Sequence, residues 1–114
     1  VALVLAKAAA DIKVWRTIKV QMPKDGSDKS FDEMTFKAQF QMMGTNEFKE
    51  LQDESVEAAL TRVWLDAKGI RAEVDSSEDE EFSTELKAQL IDIPWIRTAL
   101  LKSYLAIPGG KKGN

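Results

Sequence analysis

From Ile12 onward, apolar side chains fall on alternate positions: Ile12, Val14, Ile18 and Val20 are interleaved with Lys13, Trp15, Thr17 and Lys19. A period of two with β-branched content predicts a strand over 12–20. Pro23-Lys24-Asp25-Gly26-Ser27-Asp28 is a dense turn signal. A second strand is predicted over 34–42, with Met34, Phe36, Ala38, Phe40 and Met42 on one face and Thr35, Lys37, Gln39 and Gln41 on the other. One face meets a core and the other meets water, as in antiparallel sheets. The two strands read as a hairpin with a long tip. Two strands alone are marginal in water, so helices must cover the apolar face.

The pattern then changes period. Gly44-Thr45-Asn46 stops the strand and opens a short helix whose apolar side is Phe48 and Leu51. Val56, Ala59, Leu60, Val63 and Trp64 stand at i, i+3, i+4, i+7 and i+8, the stripe of an amphipathic helix, which Gly69 is expected to end. Residues 73–81 hold six acids and two serines and read as a solvated connector. Ser83 or Thr84 caps a further helix with Leu86, Leu90 and Ile91 inward. Asp92-Ile93-Pro94 restarts the chain with Pro at or near a first helical position. The last helix carries Trp95, Ile96, Ala99, Leu100, Leu101, Tyr104 and Leu105, a broader stripe than one core contact needs. Self-association and burial under the hairpin explain that breadth equally well. Pro108-Gly109-Gly110 stops the helix ahead of a basic tail. The expected fold is α+β, an antiparallel β-hairpin followed by a bundle of about four helices. It forms a single domain over 1–114, with 1–11 and 108–114 as flexible ends.

Composition narrows the chemistry. The 114 residues include no Cys and no His. Thiol catalysis, zinc–thiolate sites, disulfides and His-based triads are thereby excluded, and a non-redox, non-enzymatic domain without metal or cofactor is expected. No run approaches the ~18–20 apolar residues of a membrane span. The apolar stretch 1–10 has no basic region before it and does not read as a signal peptide. The net charge of −3 is unevenly spread: residues 1–44 balance to +2 (seven basic, five acidic), 45–92 to −9 (five basic, fourteen acidic) and 93–114 to +4 (four basic, no acidic). Such a chain is a poor binder of nucleic acid, whereas charge-complementary contact with a protein fits it.

Candidate constellations are sparse. Glu78-Asp79-Glu80-Glu81 lacks the alternating ligands and central Gly of a calcium loop, so a solvated connector is the simpler reading. Asp66 with Glu73 is one of many carboxylate pairs that nineteen acids produce by chance. Gly109-Gly110-Lys111-Lys112 closes a helix instead of opening one, unlike a phosphate-binding loop. Phe36, Phe40 and Trp64 read as core. Trp95 reads as a contact residue, and for Trp15 the core and contact readings stay level.

The last helix carries a resemblance. Leu90-Ile91-Asp92-Ile93-Pro94-Trp95-Ile96-Arg97-Thr98-Ala99-Leu100-Leu101-Lys102-Ser103-Tyr104, closed by Gly110-Lys111-Lys112-Gly113-Asn114, resembles the C-terminal signature of phage tail assembly chaperones of the siphophage type. Ile18-Lys19-Val20 and Phe36-Lys37-Ala38-Gln39-Phe40 resemble the family's strand pair, and Ala59-Leu60 with Val63-Trp64 its Trp-bearing helix, so the likeness covers most of 12–114. The resemblance implies a non-enzymatic chaperone in the cytoplasm of an infected or lysogenic bacterium. Such a chaperone binds the tape measure protein, keeps it soluble, helps recruit tail tube protein and is absent from the mature virion. It further implies the short form of a frameshifted pair. Gly110-Lys111-Lys112 can be encoded with the slippery run A AAA AAG, which makes Lys111 and Lys112 the candidate −1 frameshift position; a merely solubilising basic tail is the alternative. On this reading the interaction residues are Trp15, Trp95, Arg97, Leu101, Lys102 and Leu105. The competing reading is a structural minor tail protein, a connector or terminator subunit retained in the virion.

Overall fold

Alternation becomes a ladder where the pattern places it, and the paired region runs further toward the tip than expected. In the computed structural model, which describes residues 2–3, 12–23, 31–71 and 77–107, strand β1 spans Lys13–Pro23 and β2 spans Phe31–Gln41. They pair antiparallel with Ile18 opposite Phe36 and Pro23 opposite Phe31. Helices α1 (Thr45–Glu54) and α2 (Val56–Val63) follow. Next come a third strand β3 (Trp64–Lys68) and helices α3 (Thr84–Ile91) and α4 (Pro94–Leu105). The architecture is α+β: among the described residues, a three-stranded antiparallel sheet in the order β1-β2-β3 with four helices. The tip at 24–30, the connector residues 72–76, the start of the chain except residues 2–3, and the tail with Lys111 and Lys112 lie outside the described residues.

The expected helix from Val56 to Gly69 is cut short. It ends at Val63, and Trp64 opens a strand instead of completing a helical stripe. Gln39 lies opposite Asp66, yet Phe40 lies opposite Trp64, so Leu65 is an extra residue in β3. A regular ladder would turn Trp64 to the outer face together with Asp66. The bulge shifts it by one residue, and a shift of one exchanges faces. Trp64 therefore enters the core with 0% exposure. Its ring meets Phe36 at 6.0 Å and Phe82 at 4.9 Å. Its Nε1–H donates to the Asp66 carbonyl at 2.9 Å, so the buried indole leaves no donor unpaired. Gly69, with φ of 83°, then turns the chain away.

A second aromatic cluster forms where β2 ends. Tyr104 of α4 stacks on Phe48 of α1 at 4.5 Å and meets Phe40 edge-on at 5.5 Å. β2 thus supplies one phenylalanine to each cluster, and the core of Ile18, Val20, Ala38, Leu60, Val63 and Leu100 fills the space between. Caps define the helices. The Ser55 hydroxyl accepts from Ala58 N–H at 2.9 Å, and the Ser83 hydroxyl from Leu86 N–H at 3.1 Å, which settles the choice between Ser83 and Thr84. Pro94 takes the first turn of α4. At the other end of α2, Lys87 Nζ donates to the carbonyls of Thr61 and Trp64 at 3.0 and 2.9 Å. A cation on the last carbonyls of a helix is favourable, although burial lowers the pKa of this amine from its ordinary value.

The connector is less free than its composition implies. Its described part, 77–81, is exposed. Yet Asp79 accepts from Gly69 N–H at 3.0 Å and pairs with Arg71 at 3.4 Å, which ties the connector to the end of β3.

Tyr104 gives the fold a pH signature. Burial of the phenol raises its pKa above the ordinary 10.0, the Met43 N–H that it accepts pulls it down, and Glu47 adds a smaller upward push. A raised pKa means the unfolded chain loses this proton first. Its contribution is therefore complete below pH 10 and is lost as pH climbs through the folded value. Tyr104→Phe should cost about 1 kcal/mol at pH 7, the worth of one hydrogen bond. Denaturant titrations of both proteins should show that gap shrinking above pH 10; a gap constant to pH 11 would contradict the assignment.

Candidate functional site

Helix α4 has two chemically different sides. Ala99, Leu100 and Tyr104 are buried against β1 and the other helices. Away from the core it presents Trp95, Thr98, Leu101, Lys102 and Leu105, of which Trp95 is 37% exposed and Leu101 and Leu105 are half-buried. Two open clefts share this side. One, of about 420 Å³, lies between Trp95, Thr98 and Lys102 of α4 and Lys19, Gln21 and Pro23 of β1. The other, of about 390 Å³, is formed by Thr98, Leu101, Lys102, Leu105 and Ala106. Four of the expected interaction residues, Trp95, Leu101, Lys102 and Leu105, are thereby brought to one face.

The other two stand elsewhere. Arg97 points back into the domain, where Nη1 donates to the Ile91 carbonyl at 3.2 Å and pairs with Glu57 at 3.2 Å. It fastens α4 to the end of α3 and to α2. Trp15 lies on the outer face of the sheet, 38% exposed, with the Lys68 ammonium 4.6 Å from its ring centre. Lys68 is directly opposite Lys37, a like-charge pair in the ladder. The Trp15 ring gives one of those ammonium groups an attractive partner. This contact leaves no mark in a single strand's sequence because it requires the β2–β3 register.

A third cleft escaped the sequence pattern. It measures about 510 Å³ and is lined by Met22, Met34, Phe36, Ile70, Leu90 and Ile96, among others. Met34 was expected in the core with the rest of its face, but it is 52% exposed. At this end of the hairpin the described residues leave the inward side of β2 facing an open cleft instead of a packed helix. Unbranched methionines suit such adaptable apolar surface.

Charge chemistry elsewhere is slight. Asp66 accepts from its neighbour Ala67 N–H at 2.8 Å, and Glu73, its sequence-level carboxylate partner, lies outside the described residues. Among the described residues no group of three or more Asp or Glu side chains forms a metal site, and no helix is long and apolar enough to cross a membrane. Arg16, on the inward side of β1, holds a buried Nε without a partner. No protein-family model, curated protein or solved structure matches the chain.

Arg97 and Lys102 separate structure from surface. Arg97→Glu should cost about 1–3 kcal/mol, since it opposes Glu57 with a like charge and strips the Ile91 carbonyl of its donor. Lys102→Glu should stay within about 0.5 kcal/mol of the parent. Thermal unfolding by circular dichroism reads both, and equal melting temperatures for the two variants would contradict this placement.

Proposed function

We propose that this chain is a non-enzymatic assembly chaperone that binds the tape measure protein of a tailed phage. It keeps that long partner soluble and helps recruit tail tube subunits, acting in the bacterial cytoplasm and leaving before the virion is complete. The observation that carries the reading is the outward side of α4. Within the segment whose sequence resembles the family's C-terminal signature, Trp95, Leu101 and Leu105 keep apolar surface accessible beside Lys102. A helix-rich partner with apolar stripes matches this chemistry, because a helix laid on such a face buries side chains at i, i+3, i+4 and i+7. Tryptophan, here in the first turn of the helix, is the residue type that most often dominates such contacts.

Co-expression with the tape measure protein of the same locus tests the proposal. The partner should become soluble and co-purify with the chain. The double variant Trp95→Ala, Lys102→Glu should lose co-purification at least about tenfold while retaining the parent's circular dichroism spectrum. A partner that stays insoluble overturns the reading. Recovery of this chain from purified particles overturns it in favour of a structural tail protein.

A further inference from the structure

Among the described residues the sheet has an open side, whose hydrogen-bonding phase can be read directly. β1 is the terminal strand in the order β1-β2-β3. Met42 N–H donates to the Ile12 carbonyl at 2.8 Å, and the register with β2 continues without interruption from Lys13 opposite Gln41 to Pro23 opposite Phe31. In an antiparallel ladder only alternate pairs exchange hydrogen bonds. Residues 12, 14, 16, 18, 20 and 22 therefore direct their backbone groups at β2, and Lys13, Trp15, Thr17, Lys19 and Gln21 direct theirs outward. No backbone group of those five takes part in another described hydrogen bond. All five residues are exposed.

This edge is walled by a helix. Trp95, Thr98 and Lys102 of α4 face Lys19 and Gln21 across the cleft of about 420 Å³, whose charged lining among the described residues is Lys19 and Lys102. Lys13 extends the positive charge along the strand. An open strand edge beside a helical wall is the geometry in which an extended segment is held by main-chain hydrogen bonds and read by its alternate side chains. Lysines on an edge disfavour pairing with a second copy of the same strand, since the copy brings lysines of its own.

We propose that the β1 edge is a second binding site, which accepts an extended acidic segment of another protein as a fourth strand. Carboxylates on one side of that segment meet Lys13 and Lys19, and apolar side chains on the other meet Trp95, with Lys102 at the rim. The site stands on strand geometry and holds whether or not the partner of α4 is a tape measure protein.

An acetylated Glu-Val-Glu-Val-Glu-Val-Glu amide is the probe, titrated into the full chain and followed by ¹H–¹⁵N spectra and amide hydrogen exchange. Saturation should slow exchange at the Thr17, Lys19 and Gln21 amides by about tenfold or more and shift the Trp95 indole signal. Thr17→Pro removes an outward N–H that β2 does not use, so it should leave the fold's spectrum intact and weaken binding about tenfold or more. Lys19→Glu with Lys102→Glu should weaken binding about tenfold at low salt and much less at high salt. Unchanged edge amides, equal binding of the Lys-for-Glu peptide, or full binding by Thr17→Pro would overturn the proposal. So would edge protection that rises with protein concentration in the absence of peptide, because a second copy would then occupy the edge.

Discussion

The structure turns on one residue out of register. A large indole placed by sequence at the end of an amphipathic helix must be buried, and the β2 edge beside it offers unpaired backbone groups. Ending α2 at Val63 and inserting Leu65 as a bulge satisfies both needs. Trp64 then seals the core between Phe36 and Phe82, and β3 completes the sheet. Removing a buried ring of this size typically costs about 3–5 kcal/mol, a large share of a domain's marginal stability. Lys87 reinforces the junction by bonding carbonyls on both sides of it, Thr61 in α2 and Trp64 in β3.

From that junction the remaining surfaces follow. With β3 on one side of β2, β1 is left as the far edge, and α4 lies along it with Ala99, Leu100 and Tyr104 inward. The inward anchor is aromatic, with Tyr104 between Phe40 and Phe48, and it fixes which side of α4 faces out. Trp95, Leu101 and Leu105 keep their accessibility because the core is already filled. The strand edge and the outward side of α4 are therefore two surfaces produced by one packing arrangement, meeting at Lys102.

How much of this is legible in the sequence depends on how local each cause is. The hairpin is written in its alternation, and its inner residues Ile18, Val20, Phe36, Ala38 and Phe40 are buried as the period requires. The cap at Ser83 and the start at Pro94 are local chemistry and equally readable. The third strand is not, because Val63-Trp64 continues a helical stripe as well as it begins a strand. Only a non-local edge, supplied by β2, decides between them. The exposure of Met34 and the inward pairing of Arg97 with Glu57 have the same origin, since each depends on where another element stops or starts. Likewise the Trp15–Lys68 contact joins residues on β1 and β3 that only the sheet brings together.

The claim that carries this account is the switch from helix to bulged strand at Trp64. Backbone Cα and Cβ chemical shifts over residues 64–68 measure it directly, with cross-strand contacts between Phe40 and Trp64 as the register check. Strand-type shifts beginning at Trp64, a break at Leu65 and a Phe40–Trp64 contact are the expected result. Helix-type shifts continuing from Val56 through Lys68 would contradict it, and with it the origin of the third strand and the burial of Trp64.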